Sequence, residues 1–229
     1  MIATSRKHLF IKNSYEHAAW SSETLVCGID EVGRGCLAGP LITAAVILPI
    51  NTTYRNLKDS KAMTERERLV AYKWITSSCW YGYGIIHHRG INEENVYQAT
   101  LIAMKRALLN ALAKCPHTPT AILVDAMPLT LLDTSFKAIP VHSFIKGESR
   151  SSSIAAASII AKVKRDALMQ KYEQLFPGYH LAEHKGYATQ KHMSALIERP
   201  HSIIHRTSFL SNVLAKKDAY DKSGQQTLF

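Results

Sequence analysis

Two short apolar runs in this chain stop abruptly on acids. Thr24 to Ile29 (TLVCGI) leads into Asp30 and Glu31, and Ala121 to Val124 (AILV) leads into Asp125. Runs this short, bounded by polar or turn-forming residues, read as buried strands. Leu41 to Leu48 (LITAAVIL) reads the same way, and Trp80 to Ile86 alternates aromatic, glycine and aliphatic residues as a further strand. Helical patterns lie between them. Thr64 and Glu67 form a T-x-x-E capping box that opens a helix to about Ser78. Asn92 is placed to cap a longer helix in which Val96, Leu101, Met104, Leu108 and Leu112 recur at helical spacing. Pro140 to Ile145 reads as a short strand and Ser152 to about Leu175 as a long helix. A helix over Gln190 to Glu198 and a last short helix follow. Strands alternating with helices predict an α/β fold with at least part of the sheet parallel.

In open α/β sheets ligands bind beyond the carboxyl ends of the strands, which is where two of these runs deliver carboxylates. An acid at a strand end is also a common turn former or helix cap. The charge balance favours a functional reading. Lys and Arg number 28 against 18 Asp and Glu, a formal net charge of +10, and such an excess suits a polyanionic partner. Carboxylates inside a basic surface are what a metal-dependent nuclease requires. Hard divalent ions take oxygen ligands, and two of them roughly 3.5–4 Å apart can clamp both the attacking water and the leaving oxygen of a phosphodiester.

Several other classes drop out. No apolar run reaches the roughly 18 residues of a membrane span. The start, MIATSRKHLFIKNSYEH, turns charged before a signal-peptide core forms, so a cytoplasmic protein is expected. Cys27, Cys36, Cys79 and Cys115 are scattered without zinc-ligand spacing, and read as reduced thiols. The glycine turn from Gly33 to Pro40 (GRGCLAGP) fails the P-loop pattern. It also misses the dinucleotide spacing, being followed by a strand and preceded by two acids that repel a pyrophosphate. Its glycines do allow a backbone to approach a sugar-phosphate, with Arg34 supplying charge. The domain reading is an N-terminal arm over 1–20, a catalytic domain over 21–216 and a flexible tail over 217–229.

Taken together, GIDEVGRGCLAGP at 28–40, DSK at 59–61, VDA at 124–126, KGESRSSSIAAASIIAKVKRD at 146–166, FPGYHLAEHKGY at 176–187 and HRTSF at 205–209 resemble ribonuclease HII, in order, over most of the chain. The resemblance implies a ribonuclease H-like fold, a mixed central sheet flanked by helices with a C-terminal helical extension. It implies cleavage of the RNA strand of RNA/DNA hybrids and incision 5′ to single ribonucleotides in duplex DNA, leaving 3′-hydroxyl and 5′-phosphate ends. It also implies Mg²⁺ or Mn²⁺ in a two-metal site held by four carboxylates. By position these are Asp30, Glu31, Asp125 and Glu148, with Asp166 as a fallback ligand. Glu148 departs from the family's usual Asp, Cys36 from its usual Pro and Ala126 from the usual bacterial Gly. Gly33, Arg34 and Gly35 correspond to the residues that read the ribose 2′-hydroxyl and adjoining phosphates. Tyr187 corresponds to the tyrosine that packs on the sugar at the RNA–DNA junction. Lys58, Ser60, Lys61, Lys146, His184, Lys185, His205 and Arg206 are expected around the substrate.

The last five residues, QQTLF, resemble the short peptide with which bacterial repair proteins dock on the sliding clamp, through Gln225, Leu228 and Phe229. A monomer is the expected state. The rival reading is an accessory protein that binds nucleic acid, is tethered to the clamp and is impaired in catalysis, which the Glu148 departure would favour. A ribonuclease H-like nuclease acting on another substrate is a third, disfavoured by the glycine turn and Tyr187. The related ribonuclease HIII is disfavoured because that family carries a long N-terminal domain.

Overall fold

The apolar runs assemble side by side in the computed structural model, which describes residues 12–211 apart from 53, 55, 56, 58 and 59. The strands are β1 (Val26–Val32), β2 (Leu41–Ile47), β3 (Trp80–Ile86), β4 (Ala121–Asp125) and β5 (Val141–Phe144), in the sheet order β3-β2-β1-β4-β5. The strand β2 runs antiparallel to both β3 and β1, whereas β1, β4 and β5 are mutually parallel. The sheet is therefore mixed, and the parallel half holds both acid-ended runs. Every residue of β2 is buried, as its unbroken apolar run requires of a strand covered on both faces.

The helices are α1 (Ser14–Ser21), α2 (Glu65–Ser78), α3 (His88–Glu94), α4 (Val96–Leu112), α5 (Ser152–Leu175), α6 (Leu181–His184) and α7 (Gln190–Glu198). Glycines set how closely the two long ones approach the sheet. A Cβ on Gly82 or Gly84 of β3 would sit 2.4 and 2.1 Å from the Ala107 and Ala103 carbonyl oxygens of α4. On the other face, a Cβ on Gly28 of β1 would lie 2.2 Å from the Ser153 backbone of α5. The smooth side of β3 thus lies against α4, and that of β1 against α5. Arg106 and Asn110 of α4, with Lys114 just after it, donate to the carbonyls of Ile85, Tyr83 and Tyr81 along β3.

The expected capping box is present at Thr64 and Glu67. The single helix expected from Asn92 is instead two, α3 and α4. Asn95 breaks them with a positive φ of 65° and caps α4, its side chain accepting from the amides of Tyr97 and Gln98. Asn92 accepts from the Ser208 hydroxyl at 2.8 Å. At the N-terminus, α1 is built into the body. Glu16 is fully buried, accepting from the Ser151 hydroxyl at 2.5 Å and the Ser153 amide at 3.1 Å, while Asn13 accepts from the Ser152 amide. The start of α5 is therefore capped by side chains of residues 13 and 16 as well as by its own Ser151. A smaller apolar cluster, with Leu37, Met169, Tyr179, Leu181, Leu196, Ile204 and Leu210, joins α6 and α7 to the glycine turn.

Candidate active site

Asp30 occupies the fifth position of β1, and the parallel register that pairs Ile29 with Val124, carried one residue on, sets Asp125 beside it. Asp30 is on the α5 side, two residues beyond Gly28. The close approach that Gly28 allows brings Ser158 of α5 within hydrogen-bonding reach of the Asp30 carboxyl. Ser158 in turn lies 2.8 Å from the Ser60 hydroxyl. Burial, and then the neighbouring charges of Glu31 and Asp125, push the Asp30 pKa well above its ordinary value. Glu31 is raised mainly by burial, against the pull of Arg34, whose Nη1 lies 3.6 Å from Glu31 Oε1. Three acids thus crowd one strand edge, and Glu31 Oε2 is buried with no hydrogen-bond partner.

A cleft of about 270 Å³ opens on this edge, lined by Asp30, Glu31, Val32, Ser60, Lys61, Ser158, Lys162 and Tyr187. It gathers Asp30, Glu31, Ser60, Lys61 and Tyr187, which the sequence singles out. Ser158 and Lys162 are additional. Their i, i+4 spacing in α5, polar positions in an otherwise alanine- and isoleucine-rich stretch, is the signal that identifies them. Asp125 is tied to the following loop, its Oδ1 accepting from the Gly147 amide at 2.7 Å. Glu148 is the next residue, half-buried in the short helical turn Gly147–Ser149, and Lys146 before it is exposed with φ 58°. Asp166 is held by Lys162 at 2.9 Å and lines a neighbouring groove with Glu65 and Arg68.

Tyr187 follows Gly186, at whose positive φ of 83° a Cβ would meet the Ala38 carbonyl oxygen at 2.5 Å. The Arg165 guanidinium stands 5.8 Å from the Tyr187 ring centroid, and the Tyr187 hydroxyl contacts the Cys36 thiol. Burial raises both the Tyr187 and the Cys36 pKa. The Lys185 amine is turned back onto the Ala182 carbonyl.

Three of the expected phosphate contacts, His184, His205 and Arg206, are buried. His184 is inside, its Nδ1 accepting from the Gly186 amide and its Nε2 donating to the Tyr179 carbonyl. His205 accepts at Nδ1 from the Ser202 amide, so its Nε2 carries the proton and donates to His192 Nε2 at 3.0 Å. His192 then donates from Nδ1 to the Tyr187 carbonyl at 2.9 Å. Burial lowers both His192 and His205 to about 4, which keeps this chain of rings neutral. Arg206 is fully buried and bonded to backbone carbonyls of the glycine turn. These residues shape the site from behind. Lys58, Gln225, Leu228 and Phe229 lie outside the described residues.

Residues 27–212 match the family model described as Ribonuclease HII. A curated relative, ribonuclease HII of Listeria monocytogenes serotype 4a (strain HCC23), is 45% identical over 185 residues, which span 80% of this chain and 67% of the relative. The chain belongs to the ribonuclease HII family. It is accordingly an endoribonuclease hydrolase of the ribonuclease H type. Solved structures agree on the fold. The crystal structure of ribonuclease H2 from Pyrococcus horikoshii OT3 superposes with a TM-score of 0.68 at 22% identity, covering 85% of this chain and 99% of that one. Ribonuclease HII in its complex with PCNA from Archaeoglobus fulgidus gives 0.67 at 22% identity, covering 82% and 96%. The ribonuclease H-like fold expected of the sequence is thereby shown, with its mixed sheet and flanking helices. No helix of the described residues is long and apolar enough to cross a membrane.

Proposed function

We propose that this ribonuclease HII cleaves the RNA strand of RNA/DNA hybrids and incises duplex DNA immediately 5′ to a single ribonucleotide, leaving 3′-hydroxyl and 5′-phosphate ends. The observation that carries this reading is the one cleft that holds Asp30 and Glu31 together with Lys61, Lys162 and Tyr187. The donor set suits Mg²⁺ or Mn²⁺, because the acids are crowded, mutually repelling and leave a buried carboxylate oxygen unpartnered. Among the described residues no three acid, thiol or imidazole side chains already enclose a common point. Asp30, Glu31, Asp125 and Glu148 would hold the two ions, which when bound supply an activated water and neutralise the departing 3′-oxygen. Glu148, one methylene longer than an aspartate, would reach the ions from a loop anchored through Gly147 to Asp125.

The remaining residues bind and orient. Lys61 and Lys162, which line the same cleft as Asp30 and Glu31, would bind a phosphate. The turn Gly33-Arg34-Gly35 lies against the ribose and its phosphates, and Tyr187, 38% exposed, offers its ring to the sugar on the far side. The test is incubation with a labelled DNA duplex carrying one ribonucleotide, in Mg²⁺ and in Mn²⁺, beside an all-DNA duplex. Incision 5′ to the ribose with the control intact is expected. Binding without incision in either metal would favour the accessory-protein reading, with Glu148→Asp the first change to try.

The QQTLF terminus carries a second proposal, docking on a sliding clamp. The sequence match supports it, as does the complex of the Archaeoglobus fulgidus relative with PCNA. Equal capture of clamp by the full chain and by a chain ending at Ser223 would defeat it.

A further inference from the structure

Two guanidiniums lie fully buried behind the glycine turn. Arg206 donates from Nη2 to the Gly33 carbonyl at 2.7 Å and the Gly39 carbonyl at 2.9 Å, from Nη1 to Arg34 at 2.7 Å, and from Nε to Gly39 at 3.0 Å. Arg165, from α5, donates to the carbonyls of Pro40, Lys185 and Ala38 at 3.0, 2.6 and 3.1 Å. Among the described residues neither guanidinium forms an ion pair with a carboxylate. Burying a charge is costly, and here the compensation comes from carbonyl dipoles and from the rings of Tyr187 and Phe209, 5.8 and 5.4 Å from the Arg165 and Arg206 guanidiniums. A merely structural bracket could be built from neutral donors, so the retained charge calls for a further reason.

Peptide geometry supplies one. Across a trans peptide the C=O of one residue and the N–H of the next point in opposite directions, and no peptide bond described here is cis. With the Gly33 and Arg34 carbonyls drawn inward onto Arg206, the N–H groups of Arg34 and Gly35 point away from it. Within the described residues neither amide is hydrogen-bonded, whereas the Leu37 and Gly39 amides on the same turn donate to Gly186 and Ile204. Gly35 gives independent support. Gly33 and Gly39 are required by the fold, since each has a positive φ and a Cβ would collide with Arg165 or Met169. A Cβ on Gly35 would meet nothing within 4 Å, and its φ lies outside the left-handed region. Nothing inside the protein demands a glycine there, and without a side chain the backbone is open to close approach from outside.

We infer that Arg206 and Arg165 are positioning residues for the ribose contact. They hold the turn so that the Arg34 and Gly35 amides face outward as paired donors over two buried positive charges. The occupant is the 2′-hydroxyl and adjoining phosphate of a ribonucleotide. The inference rests on the substrate reading above. Arg206→Lys keeps the charge but loses the planar fork that bridges Gly33, Arg34 and Gly39.

The test uses the full chain in Mg²⁺ with the single-ribonucleotide duplex as substrate and the all-DNA duplex as competitive inhibitor. For Arg206→Lys, shown folded by its melting curve, KM should rise at least tenfold while Ki for all-DNA changes less than twofold. An unchanged KM, or KM and Ki rising together, would overturn the inference. If the variant does not fold, hydrogen exchange on the wild-type chain decides instead. The Arg34 and Gly35 amides should exchange freely in the unliganded protein and slow at least tenfold with the ribonucleotide duplex but not with all-DNA. Amides protected beforehand, or slowed equally by both duplexes, would overturn it. A wild-type chain that incises neither substrate defeats the substrate reading itself, which separates the two failures.

Discussion

Replacing Gly35 with alanine adds one methyl group where the folded chain has room for it, since a Cβ there meets no heavy atom within 4 Å and the residue is exposed. In the free protein the change acts mainly on the unfolded chain, whose conformational freedom falls. Substitutions of this kind at compatible positions stabilise by about 0.4–1 kcal/mol, and for a chain of this size that corresponds to a rise of roughly 1–4 °C in Tm. In the complex the same methyl stands between the backbone and the sugar-phosphate. Displacing a reacting group by on the order of 1 Å costs about 100-fold in rate. Gly35→Ala should therefore melt slightly higher than wild type yet incise the single-ribonucleotide duplex about 100-fold more slowly, measured by a thermal melt and by initial rates on one preparation. Gly33→Ala is the contrast. Its Cβ would lie 2.2 Å from Arg165 Nε at a φ of +90°, so it should lose stability and activity together. A Gly35→Ala enzyme with wild-type rates would refute direct backbone contact, and one that melts lower would refute the absence of a fold requirement.

Other outcomes follow from the same geometry. The folded-state pKa of Asp30 is raised, so folding favours its protonated form. That contribution is present below the unfolded value and lost as pH rises through the folded one. Asp30→Asn should then raise Tm in EDTA near neutral pH while abolishing incision, and a lower Tm would count against the crowded-acid picture. His192 and His205 are lowered from 6.5 to about 4, so their contribution is present above 6.5 and lost as pH falls through that window. NMR titration of the two rings checks this, and a midpoint near 6.5 for both would show the relay is not formed. Glu16→Ala removes a carboxylate that caps α5 through Ser151 and Ser153. It should cost about 1–3 kcal/mol in urea unfolding, with the activity of the folded fraction unchanged.

The acid-ended runs were legible because a short unbroken apolar run marks a buried strand, although β1 itself continues through Asp30 and Glu31 to Val32. The Thr64–Glu67 box was legible because both of its partners lie within four residues. The break between α3 and α4 was not, since apolar residues keep helical spacing across it. A single backbone angle at Asn95 makes the break, and Asn92 is drawn off by Ser208 from far along the chain. The same distinction governs the site. Asp30, Glu31, Lys61 and Tyr187 are recognisable from local motifs. His184, His205 and Arg206 sit in polar loops that read as exposed, and only the packing of α6 and α7 on the glycine turn puts them inside.

The carbonyls of Tyr81, Tyr83 and Ile85 are each occupied by a side chain from in or just after α4. An open strand at the margin of a sheet is a template on which another chain can add itself. Here those three acceptors of β3 are already taken by the polar side chains of Arg106, Asn110 and Lys114. Growth of the sheet from that margin is blocked before any second molecule arrives. A second copy of this chain would find those three acceptors on β3 already occupied.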